Sequence, residues 1–168
     1  MDWLWSPWRY RYVSQAAPHP NDADTACIFC DKGRDAAHDR QSYLLYRGRF
    51  CFALLNLYPY TNGHLMVAPY QHVAELSLVS LETLAEMMEL AQRTERIFKQ
   101  AYHCDGINLG MNLGRAAGAG IAGHLHMHIL PRWFGDSNFM TTVAETRVMP
   151  EDLETSYNKL QPLFNSNA

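Results

Sequence analysis

Three histidines at every second position, His124, His126 and His128 in "GHLHMHILPRW", constrain this chain more than any other feature. Successive strand side chains point to opposite faces, so residues i, i+2 and i+4 share one face. The spacing predicts a strand with the imidazoles in a row and Leu125, Met127 and Ile129 turned to the core. A single histidine there would be an incidental polar position. Three in register need partners, and each change of protonation has a cost that a purely structural strand avoids. A three-histidine metal site is one reading, since strand-borne His-x-His pairs suit zinc. A catalytic zinc also needs a base or an oriented water, and the strand holds no acidic residue. The preceding "NLGRAAGAGIAG" offers another reading. Its four glycines and four alanines let backbone N–H groups approach an anion unobstructed, although it lacks the GK[ST] ending of a P-loop. Placed directly before aligned histidines, the loop points to a phosphate held near an imidazole.

The remaining chain sets the frame. Its 168 residues suffice for one domain, and 48% hydrophobic with 18% charged residues is a globular composition. A formal net charge of -3 argues against a sequence-independent grip on nucleic acid. No apolar run approaches the ~20 residues of a membrane span. "MDWLWSPWRYRY" lacks the basic-then-apolar order of a signal peptide, so a cytoplasmic location is expected. Cys27 and Cys30 form a CxxC, which in a reducing compartment suggests zinc or redox chemistry. Cys51 and Cys104 read as inert small residues.

The expected organisation is a single domain. Residues 1–17 form an aromatic arm, 18–41 a loop with the CxxC, 42–139 the catalytic core and 140–168 a C-terminal extension. "SYLLYRGRFCFALLN" predicts two strands, and "HLMVAP", "INLGMN" and "HLHMHIL" one each. Ser80 is a predicted N-cap for a long helix with Leu84, Met87, Met88, Ala91, Phe98, Ala101 and Tyr102 on its buried stripe and Gly106 as its stop. A last helix is expected to start near Pro150. These elements predict an α+β domain with an antiparallel sheet. The arm's Trp3, Trp5, Trp8, Tyr10 and Tyr12, with Arg9 and Arg11, could stack on single-stranded nucleic acid. Packing on the domain or a partner subunit is the preferred reading, because the chain is acidic and the arm has only these two arginines.

"HLHMHILPRW" resembles the signature of the histidine triad superfamily. "FALLNLYPYTNGHLMVAP" resembles that family's nucleoside-binding strands. "GINLGMNLGRAAGAGIAGHLHMHILPRWFGDSNF", and "LWSPWRYRYV" followed by "CIFC", are similar to its diadenosine tetraphosphate phosphorylase and hydrolase branch. The likeness runs from Trp3 to Phe139 and implies a five-stranded antiparallel sheet with one long and one C-terminal helix, in a homodimer. It implies that His126 attacks the α-phosphorus of a nucleotide, that His128 assists the phosphoryl oxygens or leaving group, and that His124 orients the pair. By the same likeness Asn56 contacts ribose, Asn112 contacts phosphate, and Gly118, Ala119 and Gly120 cradle phosphate through backbone N–H groups. Cys27, Cys30, His72 and His124 match a structural zinc set of some relatives and of the related galactose-1-phosphate uridylyltransferases. His64 is left between a turn role and the base pocket.

The implied activity is cleavage of a dinucleoside polyphosphate through a nucleotidyl-histidine, with phosphate or water as second acceptor. The motif itself requires no catalytic cofactor. An adenosine phosphoramidate hydrolase and a non-catalytic nucleotide-binding module remain the alternatives.

Overall fold

The computed structural model describes residues 27–146 and 149–166. The aromatic arm lies outside the described residues. The first element among the described residues is a helix, α1 (Ile28–Arg34), where the sequence suggested loop. Cys27 is its N-cap and Cys30 lies in its first turn, so the CxxC spacing sets both thiols toward one side. Asp31 near the start, Lys32 and Arg34 near the end, and the buried Phe29 all favour this short helix.

Strands β1 (Leu44–Arg47), β2 (Cys51–Leu55), β3 (Leu65–Pro69), β4 (Gly106–Met111) and β5 (Met127–Arg132) form one sheet in the order β1-β2-β3-β5-β4. Every neighbouring pair is antiparallel, as expected. Both faces of β2 and β3 are covered, so neither strand shows an exposed alternation. Their odd-numbered residues (Ala53, Leu55, Leu65, Val67) join the core under the long helix α2 (Leu81–Tyr102). Their even-numbered residues (Phe52, Leu54, Met66, Ala68) meet Phe29 of α1 on the other face.

Ser80 caps α2 by accepting the Thr83 N–H at 3.2 Å. Met87, Leu90, Ile97 and Phe98 are buried, each contributing ~1.5–3 kcal/mol of apolar transfer. Met88, expected on this stripe, is half exposed because the buried arc is narrower than the sequence pattern. The helix stops at His103, which adopts the left-handed conformation (φ 47°), and Gly106 already opens β4. A five-residue helix, α3 (Phe139–Val143), follows β5 without having been anticipated. The C-terminal helix α4 spans Leu153–Ser166 rather than starting at Pro150, since Asp152 accepts the Thr155 N–H at 2.8 Å and so caps it. Cys51 and Cys104 are buried, and burial pushes the Cys51 thiol up to about 12.

One tight turn positions the site. Gly63 has φ +72°, and a Cβ there would stand 2.6 Å from the Tyr102 ring. Only glycine suits this approach, which delivers His64 to the head of β3.

Candidate active site and metal centre

The histidine row spans a strand and the segment before it. β5 begins at Met127, so His124 and His126 precede the ladder while His128 pairs with Met66. Before the ladder, the Leu125 N–H donates to the Val73 carbonyl at 2.7 Å, which keeps the chain extended beside the segment after β3. The alternation survives: Leu125, Met127 and Ile129 are buried in the core. Rings 126 and 128 lie with centroids 4.9 Å apart on the face opposite α2.

Carbonyl oxygens only accept hydrogen bonds, so a ring nitrogen facing one must bear the proton. His126 Nδ1 lies 2.8 Å from the His124 carbonyl, so it donates there and Nε2 keeps its lone pair. His124 Nε2 donates to the Pro69 carbonyl at 2.9 Å, so its Nδ1 is the free base. The buried His64 accepts the Tyr60 backbone N–H on Nδ1 at 3.1 Å. Its Nε2–H therefore donates to His128 Nδ1, 2.9 Å away, and His128 carries its proton on Nε2. Neighbouring histidines thus differ in tautomer: Nε2 is an acceptor on His126 and a donor on His128.

Burial holds all these rings neutral. It lowers His64 to about 3, with His128 and His126 adding to the effect, and lowers His128 to about 4. His126 is also lowered by burial, in part offset by its bond to the His124 carbonyl. A neutral imidazole is the nucleophilic form.

His126 and His128 line a cavity of about 390 Å³ with Asn56, Gly118 and Gly120. Phe29 packs on His126 with ring centroids 4.9 Å apart. Asn56 Oδ1 accepts the Tyr58 N–H at 3.0 Å, and its amide points at His64 Nδ1, 3.4 Å away. Asn112 stands behind the loop rather than in the cavity lining, its amide 3.4 Å from the Gly118 carbonyl. Within the loop, the Gly118 and Ala119 N–H groups donate to the Arg115 and Gly114 carbonyls. Among the described residues, only Gly120 of these three has an N–H outside that internal bonding, and it lines the cavity.

On the other side of His124, the donor atoms of Cys27, Cys30, His72 and His124 all lie within 4.8 Å of one another. Cys27 Sγ and Cys30 Sγ stand 3.3 and 3.6 Å from His124 Nδ1, and Cys30 Sγ stands 3.3 Å from His72 Nδ1. Tetrahedral zinc with Zn–S ≈ 2.3 Å and Zn–N ≈ 2.0–2.1 Å places neighbouring N and S donors about 3.6 Å apart. Two thiols, two imidazoles and these separations suit that ion, and the His124 lone pair faces the sulfurs.

Residues 38–135 match the family model described as the HIT domain. The chain belongs to the HIT domain family. An AP-4-A phosphorylase of Mycobacterium tuberculosis is 40% identical over 151 residues, covering 88% of this chain and 76% of that protein. A bis(5'-adenosyl)-triphosphatase of Dictyostelium discoideum is 30% identical over 134 residues, covering 76% and 89%. Among solved structures, a Zn-bound histidine triad family protein from Mycobacterium smegmatis superposes with TM-score 0.68 at 30% identity, covering 84% of this chain and 95% of that one.

Within this HIT domain, sequence reasoning under-read His64 and missed Tyr60 and Phe29. A histidine opening the apolar run "LMVAP" was the available signal, but its partner lies 64 residues away on β5. Because the folded protein favours neutral His64, its stabilisation is complete above the unfolded value near 6.5. It is lost as pH falls toward about 3. Between about pH 6.5 and about pH 5 the loss is roughly 2 kcal/mol. Urea unfolding of wild type and His64→Gln checks this: wild type should lose that much more stability than the variant. Equal losses would contradict the buried neutral pair.

Proposed function

We propose that the chain cleaves dinucleoside polyphosphates, diadenosine tetraphosphate among them, at the α-phosphorus, and passes the nucleotidyl group to inorganic phosphate. One observation supports this above all. The His124 carbonyl holds the Nδ1 proton of His126, leaving a lone pair on Nε2 at the cavity wall. The similarity to a protein named AP-4-A phosphorylase supports the choice of substrate and acceptor.

His126 Nε2 attacks the α-phosphorus, forming a P–N bond as the bridging P–O bond breaks. His128 Nε2–H protonates the departing oxygen, so ATP leaves from diadenosine tetraphosphate. An oxygen of inorganic phosphate then attacks the same phosphorus and the P–N bond breaks. ADP forms, and His128 recovers its proton from the incoming phosphate. Splitting one displacement into two easier ones is the gain of covalent catalysis. In this reading the Gly120 N–H stabilises charge on the phosphoryl oxygens and Asn56 meets the ribose, both being part of the cavity lining. Asn112 acts through the loop it braces.

Purified protein incubated with diadenosine tetraphosphate, with and without phosphate, tests this reading. ADP and ATP should appear only when phosphate is present. AMP and ATP without phosphate would show water as the acceptor, and no turnover would favour a binding module. Turnover of an adenosine phosphoramidate alone would move the substrate class.

Cys27, Cys30, His72 and His124 hold a structural zinc in this proposal, closed to substrate and acting through the fold and the His124 backbone that orients His126. We also propose a homodimer paired through β4, a sheet edge whose Leu109 is half exposed. An exposed apolar edge is a template for strand addition. Light scattering should give twice the chain mass, and Leu109→Arg should give the monomer; a wild-type monomer would end this part. Among the described residues no helix is long and apolar enough to cross a membrane. The thiol-rich metal set suits a reducing cytoplasm.

A further inference from the structure

The cavity lining contains one residue with a formal charge, Lys32, and neither family motif accounts for it. It lies on α1, three residues past Phe29 and four past Ile28, which also line the cavity. That spacing puts all three on one helix face, with Lys32 about 4.5–6 Å further along the axis. Phe29 packs on His126, whereas Lys32 Nζ is bonded just before β1, which β2 and β3 separate from the histidine strand β5, so Lys32 stands at the end of the wall away from His126. The lysine is held in place: Nζ donates to the Ser42 carbonyl at 3.1 Å, just before β1. One N–H is thereby engaged and two are free to serve a ligand. Between the two ends the wall is apolar, from Ile28, Phe29, Leu54 and Met66. Such a slot suits a flat base.

We propose that Lys32 reads the base edge of the bound nucleotide, donating to O6 and N7 of a guanine-type base and thereby raising the use of 6-oxopurine dinucleotides relative to adenine ones. The proposal rests on the nucleotide reading above, with the α-phosphate at His126. Guanine presents two adjacent acceptors, O6 and N7, to a lysine. Adenine offers N7 beside an N6 amino group, and that donor opposes an ammonium. Contacts of this kind discriminate by ~1–3 kcal/mol, which is about 5- to 150-fold. Two bland roles compete with this one. Lys32 could serve only to tether Ser42, or it could contact the polyphosphate; neither distinguishes one base from another.

The test compares kcat/KM for diguanosine and diadenosine tetraphosphate in wild type, Lys32→Met and Lys32→Arg. The guanine-to-adenine ratio should fall about tenfold in Lys32→Met and be largely kept in Lys32→Arg, which retains donors. Equal loss on both substrates, or an unchanged ratio, overturns the proposal. GMP and AMP dissociation constants, measured by calorimetry on the same proteins, provide the second readout. If wild type cleaves neither dinucleotide, the cleavage reading has failed, and the GMP-to-AMP affinity ratio still decides the role of Lys32. A thermal melt of each variant identifies any that has lost its fold, in which case Lys32→Arg and Lys32→Gln give the comparison.

Discussion

His126→Ala should lower the turnover of diadenosine tetraphosphate by about 10⁴-fold or more, the scale on which removal of a catalytic nucleophile acts. AMP affinity should change by less than about tenfold, because the apolar wall and Asn56 remain. The two effects separate because Nε2 forms its bond only during reaction. Steady-state kinetics with calorimetric binding provides the check. Turnover within about tenfold of wild type would mean that another group attacks phosphorus. His128→Ala should be milder and leaving-group dependent, since the proton it supplies matters less to a good leaving group.

Removing the proposed zinc should be the other large effect. Cys30→Ser, or a strong chelator, should lower the melting temperature by on the order of 10 °C. Zinc ligation contributes several kcal/mol, and each kcal/mol moves a domain of this size by a few degrees. The four donors join the N-terminus of α1, the segment after β3 and the segment before β5. No covalent link ties these segments together otherwise, as the cysteines are free. Turnover should fall as well, because His124 offers its ring to the thiols and its carbonyl to His126. Loosening the first loosens the second. Metal analysis and calorimetric melts decide it: protein purified without zinc, melting unchanged under chelator, would remove the metal from this account.

Where side chains alternate or recur locally, the sequence was readable. Apolar runs bounded by turn residues, with the period of two at the histidine row, marked the five strands, and the three-and-four stripe with Ser80 marked the long helix. The histidine row marked the face that opens on the cavity because its chemistry and its periodicity coincide. Features that depend on distant partners were not readable in the same way. His64 becomes meaningful only once β3 lies beside β5, and its burial is what holds it neutral. Helix α1 is short and polar at its surface, and it is supported by Arg47 donating to the Lys32 and Gly33 carbonyls from β1. The glycine- and alanine-rich loop before β5 shows a finer limit. Its small residues announced backbone donors, but which N–H groups are already used depends on the local turn.

The row also divides its labour in a way composition alone does not set. His124 faces the thiols, His126 presents a lone pair and His128 presents a proton, each fixed by what its other nitrogen meets. The most direct test is to trap the intermediate. Wild-type protein is mixed with diadenosine tetraphosphate labelled at the α-phosphorus, in the absence of phosphate, quenched in alkali that preserves P–N bonds, and digested. The label should reside on the peptide containing His126 and be acid-labile, and it should be released as ADP when phosphate is added before the quench. Turnover with no labelled peptide, or label on a residue other than His126, would contradict the account.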